Sequence, residues 1–173
     1  GEGLDELLIQ RKSSFTGIMN GIDTDAYDPK NAAVPYDIDN LNLKRENKAL
    51  LREELGLDDE DVPIVAAITR LDEQKGIDII INAIRKIDIE GFQLVILGTG
   101  NQYYENMLSE MAEMYPKKMA AIFAFDPKLA KRIYAGADIF IMPSKFEPGG
   151  LGQLYAMAYG TVPVVRSTGG LKD

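Results

Sequence analysis

Five short apolar runs constrain this chain more than any other feature: Pro63–Thr69, Phe92–Leu97, Met119–Phe123, Asp138–Met142 and Val162–Val165. They are nearly free of polar residues, so a strand formed from any of them has neither face in water. The stretches between them carry apolar residues at helical spacing: Ile77, Ile80, Ile81, Ile84 and Ile87, then Tyr104, Met107, Leu108, Met111 and Met114, then Leu129, Ala130, Ile133 and Tyr134. Buried strands alternating with helices predict an α/β fold, a parallel sheet covered on both faces. A further amphipathic helix is expected at Leu43–Leu55, with Gly56 placed to end it in the left-handed conformation. Asp126-Pro127 reads as an N-cap followed by proline at the first helical position.

Ligands of such sheets bind at the carboxyl ends of the strands, here the loops at 70–76, 98–101, 124–127, 143–152 and 166–170. The richest is Pro143-Ser144-Lys145-Phe146-Glu147-Pro148-Gly149-Gly150-Leu151-Gly152, which leads into a helix expected at Leu151–Tyr159. Its glycines let backbone N–H groups approach a ligand, and a helix start adds partial positive charge, so an anion site is expected beside the Glu147 carboxylate. Arg70 and Lys75 are five residues apart, at a strand end and near a helix start, where both could reach one diphosphate. Phe125 sits where a base could stack on it, although such a residue more often packs beneath its loop. Gly98-Thr99-Gly100 lacks the third glycine of a dinucleotide fingerprint, since Tyr103 holds that place, and reads as a tight turn that admits a ligand closely. Asp23 and Asp25 alternate and Asp28 lies nearby, but Tyr27 holds the next alternate place and the glycine and distal glutamate of a calcium loop are missing, so they read as turn formers.

Charge and composition remove several classes of function. With 19 Lys+Arg against 27 Asp+Glu, the formal charge of −8 speaks against nucleic acid or an anionic membrane as partner. No cysteine is present, so disulfides and thiolate metal sites are excluded, and no histidine is available as general base or metal ligand. Chemistry here has to rest on carboxylates or on groups outside the chain. No apolar stretch approaches the roughly 20 residues of a membrane span, and a cytoplasmic location is expected.

Several motifs in order carry a specific resemblance: Asn20-Gly21-Ile22-Asp23, Arg70-Leu71 with Gln74-Lys75-Gly76, Phe146-Glu147-Pro148 with Gly150-Leu151, Gln153-Leu154-Tyr155, and Thr168-Gly169-Gly170-Leu171. Together they resemble bacterial glycogen synthase, also called starch synthase, over nearly the whole chain. The resemblance implies the C-terminal, nucleotide-sugar-binding Rossmann-like domain of a two-domain GT-B fold, truncated at its end. It further implies glucose transfer from ADP-glucose to the non-reducing end of an α-1,4-glucan, with retention and with neither cofactor nor metal. On that pattern Arg70 and Lys75 hold the diphosphate, and Glu147 contacts the donor glucose in the catalytic site. Backbone N–H groups of Gly150, Leu151 and Gly152 meet the distal phosphate, and Phe125 lies under adenine.

The chain departs from the pattern at Gly149, Gly152, Lys145, Ser167 and Phe125, where members commonly have Cys, Thr, Arg, Arg and Tyr. The wider class often has a second Glu eight residues after the first, whereas Tyr155 stands there in this chain, as the glycogen synthase pattern has it. The implied organisation is a remnant of the N-terminal domain at 1–15, a connection at 16–42 and the donor domain at 43–173, incomplete at its C-terminus. Within the first two segments Leu4–Gln10 suggests a helix, Phe15–Met19 a strand closed by Asn20-Gly21, and 22–42 a long surface connection without period. Gly1-Glu2-Gly3 at one end and a glycine turn before Asp173 at the other suggest an excised piece, expected to bind ADP or ADP-glucose but not to transfer glucose, with the glucan acceptor held elsewhere. A different GT-B transferase using UDP- or GDP-sugar and a non-catalytic nucleotide-binding module are the competing readings.

Overall fold

The computed structural model describes residues 3–87 and 89–172; Gly1, Glu2 and Asp173, named above as chain ends, lie outside the described residues. Every apolar run becomes a strand: β1 Ile64–Ile68, β2 Gln93–Leu97, β3 Met119–Ile122, β4 Ile139–Met142 and β5 Val162–Val165. The helices are α1 Asp5–Gln10, α2 Lys44–Leu55, α3 Ile77–Ile84, α4 Gln102–Met114, α5 Pro127–Gly136 and α6 Gly152–Ala158. All strand pairs are parallel, in the order β3-β2-β1-β4-β5. The chain therefore builds outward from β1 through β3, then crosses back and builds the other half through β4 and β5. Loops after β1 and β4 meet at this reversal, the place where α/β sheets bind ligands.

The two-residue period of a strand decides which helix each side chain meets. Ile64, Ala66, Val95, Leu97 and Phe140 pack with Leu51 of α2, Ile133 and Tyr134 of α5 and Ala156 of α6. Ala67, Leu94, Ile96 and Met119 pack with Ile77, Ile80, Ile81 and Ile84 of α3 and Leu108 and Met111 of α4. Gly56 ends α2 at φ +67°, and Asp126 caps α5 by accepting from the N–H groups of Lys128 and Leu129, both at 2.9 Å.

Four local expectations are corrected. Phe15–Met19 forms no strand; no described strand pairs with it, and Phe15, Ile18 and Met19 are exposed. The helix expected to reach Ile87 ends at Ile84, and Ile87 is half-exposed beyond it. The helix expected at Leu151–Tyr159 spans Gly152–Ala158, with Leu151 and Tyr159 as its flanking caps. On β5 two covered faces were expected, but Val162 and Val164 are exposed: the described helices cover this edge strand on one face only.

The segment 22–42 is tied down at defined points. Tyr36 is buried and its hydroxyl donates to the carbonyl of Tyr159 at 2.9 Å. Asn47 of α2 clasps the backbone of Val34, accepting from its N–H at 3.1 Å and donating to its carbonyl at 2.8 Å. Asp23 and Asp28 are turn formers, as expected, accepting from the N–H groups of Asp25 and Ala26 and of Lys30. Among the described residues no group of acidic side chains is arranged to hold a metal ion.

Candidate functional site

Glycine lets the loops after β1 and β4 come together. Gly76 opens α3 at φ +73°, and a Cβ there would stand 2.3 Å from the carbonyl oxygen of Pro143. Lys145 N–H donates to the carbonyl of Gln74 at 2.7 Å, and the Lys145 ammonium reaches back to Glu73 at 2.8 Å and Asp78 at 3.0 Å. Those carboxylates, Glu73 first, raise the Lys145 pKa above its ordinary value. At the commonly arginine position, Lys145 thus clamps one loop to the other.

Inside this clamp lie Lys75 and Glu147, with Nζ and Oε2 2.5 Å apart and both side chains largely shielded. Ser144, itself buried, donates its hydroxyl to the same carboxylate oxygen at 3.3 Å. The backbone of Glu147 is held from the other side: its carbonyl accepts from Gly170 N–H at 3.1 Å. A Cβ on Gly169, where φ is +49°, would fall 2.0 Å from that carbonyl oxygen. The Thr168–Leu171 turn thereby supports the carboxylate loop.

Arg70 and Lys75, read from the sequence as able to reach one diphosphate, have different protein partners. Arg70 projects into solvent, paired with Asp72 at 3.1 Å, whereas Lys75 turns to Glu147. Arg70 instead shares a cleft of about 310 Å³ with Phe125, Tyr27, Tyr134, Tyr155 and Thr99, at the carboxyl ends of β1, β2 and β3. Phe125 is 89% exposed at its rim, so packing beneath the loop is not its role. Tyr27 stacks on Tyr155 with ring centroids 3.7 Å apart and forms part of the lining. Tyr27 was missed in the sequence because it lies in the stretch without period, far from the strand ends.

The glycine loop supplies amides. N–H groups of Gly150, Leu151 and Gly152 have no acceptor among the described residues. Since α6 has only seven residues, these loop amides, more than a helix dipole, are the donors on offer. Gly152 also has a steric reason: a Cβ there would press Phe140 at 3.0 Å and Met142 at 3.3 Å, so the missing threonine follows from what fills the space beneath. Gly149 is freer, with only Asn20 within 4 Å of such a Cβ. Gly98 and Gly100, expected to admit a ligand, admit the protein's own backbone. Their Cβ positions fall 1.8 Å from the carbonyl of Thr69 and 2.5 Å from that of Leu71. Gly100 N–H and the Thr99 hydroxyl are taken by Glu105, whose carboxyl they hold below its ordinary range.

A larger cleft, of about 850 Å³, opens at the amino ends of the strands between α2 and residues 59–61. Two of its charge pairs are internal, Lys48 with Asp138 at 2.8 Å and Arg52 with Asp59 at 3.7 Å, and it lies at the opposite ends of the strands from the candidate residues. Size does not make it the site.

Residues 48–173 match the family model described as "Glycosyl transferases group 1". The chain belongs to that family. Glycogen synthase of Kosmotoga olearia is 49% identical over 176 residues, covering 100% of this chain and 37% of the relative. Glycogen synthase of Thermotoga maritima is 48% identical over 177 residues, covering 100% and 36%. The chain thus spans a little over a third of these proteins. Among solved structures, the catalytic domain of starch synthase IV from Arabidopsis thaliana, bound to ADP and acarbose, superposes with TM-score 0.92 at 38% identity, over 100% of this chain and 37% of that one. The fold of this group 1 glycosyl transferase is that of a GT-B C-terminal domain, and the resemblance to glycogen and starch synthases seen in the motifs is borne out.

Proposed function

We propose that this chain is the donor-binding part of an ADP-glucose-dependent glycogen or starch synthase. The whole protein transfers glucose to the non-reducing end of an α-1,4-glucan with retention, and the acceptor site belongs to the rest of it. The observation that carries the reading is the meeting of Lys75 and Glu147, 72 residues apart in sequence, beside loop amides that have no acceptor among the described residues. A pure phosphate binder has no use for that carboxylate. The likeness to the Arabidopsis protein, which holds ADP and acarbose, supports the same donor.

In this reading adenine stacks on exposed Phe125 above the Tyr27–Tyr155 pair, and Arg70 gives up Asp72 to hold the diphosphate. Lys75 bridges Glu147 and the distal phosphate, while Gly150, Leu151 and Gly152 donate to the phosphate oxygens. Glu147 faces the donor glucose. Breaking the glucosyl–phosphate bond puts negative charge on departing ADP and positive charge on the sugar, so cations and amides at the phosphate and a carboxylate at the sugar lower the barrier. Loss of one such donor typically costs on the order of 10²–10³ in rate. Domain limits of 16–42 for the connection and 43–173 for the donor domain, and a cytoplasmic location, belong to the same proposal. Among the described residues no helix is long and apolar enough to cross a membrane.

Calorimetric titration with ADP and with UDP, without Mg²⁺, tests it. ADP binding that exceeds UDP binding and is lost in the Arg70→Ala, Lys75→Ala double variant is expected. Tighter UDP binding moves the reading to another nucleotide-sugar transferase, and no binding of either nucleotide overturns it.

A further inference from the structure

Gln153 is buried in the first turn of α6, where its carboxamide makes an uneven set of contacts. Its Nε2 donates to the carbonyl of Gly149 at 3.3 Å and to that of Gly150 at 3.1 Å. Its Oε1 is buried and has no partner among the described residues. Turning the amide over would set Oε1 against two carbonyl oxygens, so the two carbonyls fix the orientation. Leaving a buried amide oxygen bare is unfavourable, and an apolar side chain of the same size would fill the space without that penalty. Packing alone therefore does not account for a glutamine here.

Peptide planarity supplies the account. In a trans peptide the C=O of one residue and the N–H of the next point in opposite directions. The carbonyls of Gly149 and Gly150 belong to the same peptide units as the N–H groups of Gly150 and Leu151. Holding both carbonyls inward turns both N–H groups outward, and neither N–H has an acceptor among the described residues. Gly150 makes room for this: its φ is +71°, and a Cβ on it would lie 2.8 Å from Gln153 Oε1.

We infer that Gln153 is a positioning residue that aims the Gly150 and Leu151 amides at the terminal phosphate of a bound nucleoside diphosphate. It touches no substrate itself and acts through the two peptide units. The inference rests on the donor-site reading above and adds to it the residue that presets the amide donors before ligand arrives.

Amide-resolved NMR of the labelled 173-residue chain tests it, with ADP as probe. In the wild type, ADP moves the Gly150 and Leu151 amide protons downfield, and the Gln153 side-chain NH₂ is protected from exchange before ADP is added. Gln153→Met keeps size but cannot donate, and Gln153→Glu keeps shape but presents a carboxylate to the carbonyls. Each lowers ADP affinity about tenfold and removes the two downfield shifts, with the amide spectrum of the sheet unchanged. Unchanged affinity in both variants, or downfield shifts that persist in them, overturns the inference and leaves the donor site standing. A freely exchanging Gln153 NH₂ in the ligand-free wild type overturns it even if neither variant folds. A wild type that binds no ADP overturns the donor-site reading, and the inference with it.

Discussion

The ammonium of Lys75 lies 2.5 Å from a carboxylate oxygen of Glu147, and little of either side chain reaches water. Each is the other's main compensation for lost hydration, so removing one strands a charge. Lys75→Met is expected to destabilise the chain by about 3 kcal/mol, because among the described residues only the Ser144 hydroxyl then remains on the carboxylate side chain. Adding Glu147→Gln to Lys75→Met should recover most of that loss. Urea unfolding of both single variants and the double variant measures the coupling; additive effects would show that the pair does not act as a unit.

Lys44 gives a dependence on pH of known sign. Its ammonium donates to the carbonyls of Tyr134 and Ala135 at the end of α5 and to the Thr161 hydroxyl, at 2.8–2.9 Å. Burial lowers its pKa from 10.5 to about 7, against the opposing pull of Asp138. Between those values the unfolded chain holds a proton that the native chain has released, so stability rises with pH across that window, by at most about 1.4 kcal/mol per unit. Below about 7 both states carry the proton and the dependence vanishes. The difference in unfolding free energy between wild type and Lys44→Met, followed from pH 6 to 9, should show this slope; a constant difference would contradict it.

Tyr36→Phe removes one buried hydrogen bond, from the phenol to the Tyr159 carbonyl, and should cost about 1 kcal/mol. Tyr36→Ala also removes a ring from the core and should cost about 4 kcal/mol. Limited proteolysis is expected to cut residues 22–42 faster in the alanine variant while the sheet survives. Equal cleavage of wild type and variant would mean that the segment is held by something other than this ring.

Gly169→Ala tests the support beneath Glu147. The new methyl would collide with the Glu147 carbonyl and would be held at a positive φ, so loss of at least about 2 kcal/mol is expected. Nucleotide affinity should fall with it, since the loop must move. Gly91→Ala, where no atom of the described residues lies within 4 Å of the added carbon, serves as the control and should leave binding intact.

The sheet was legible because its strands are apolar on both faces and alternate with helical patterns, although β5 shows that an apolar face can be left uncovered at the edge. The strand at Phe15–Met19 was misread for the complementary reason: β propensity without a partner makes no ladder, and partners are not written locally. Glu147, Arg70, Lys75 and Phe125 were visible as unusual residues at strand ends. What they touch was not visible, since the turn of Lys75 toward Glu147 depends on a contact across 72 residues. Tyr27 lies in an aperiodic stretch that gives it no mark, and Gln153 stood out only as part of a motif, without a sign that its carboxamide holds two loop carbonyls.

The register of the sheet sets how this site responds to fluctuation. β1 runs alongside β2 for five paired residues, but alongside β4 for only two, Val65 with Ile139 and Ala66 with Phe140. Counted by paired strand residues this is the sparsest seam of the sheet, reinforced by the Ile64–Asp138 hydrogen bonds and the Lys145 clamp, and Lys75 and Glu147 sit on opposite lips of it. Opening there would part the two charges while each half-sheet kept its own ladder. Amide exchange along β4 therefore reports on the integrity of the charged pair before global unfolding does.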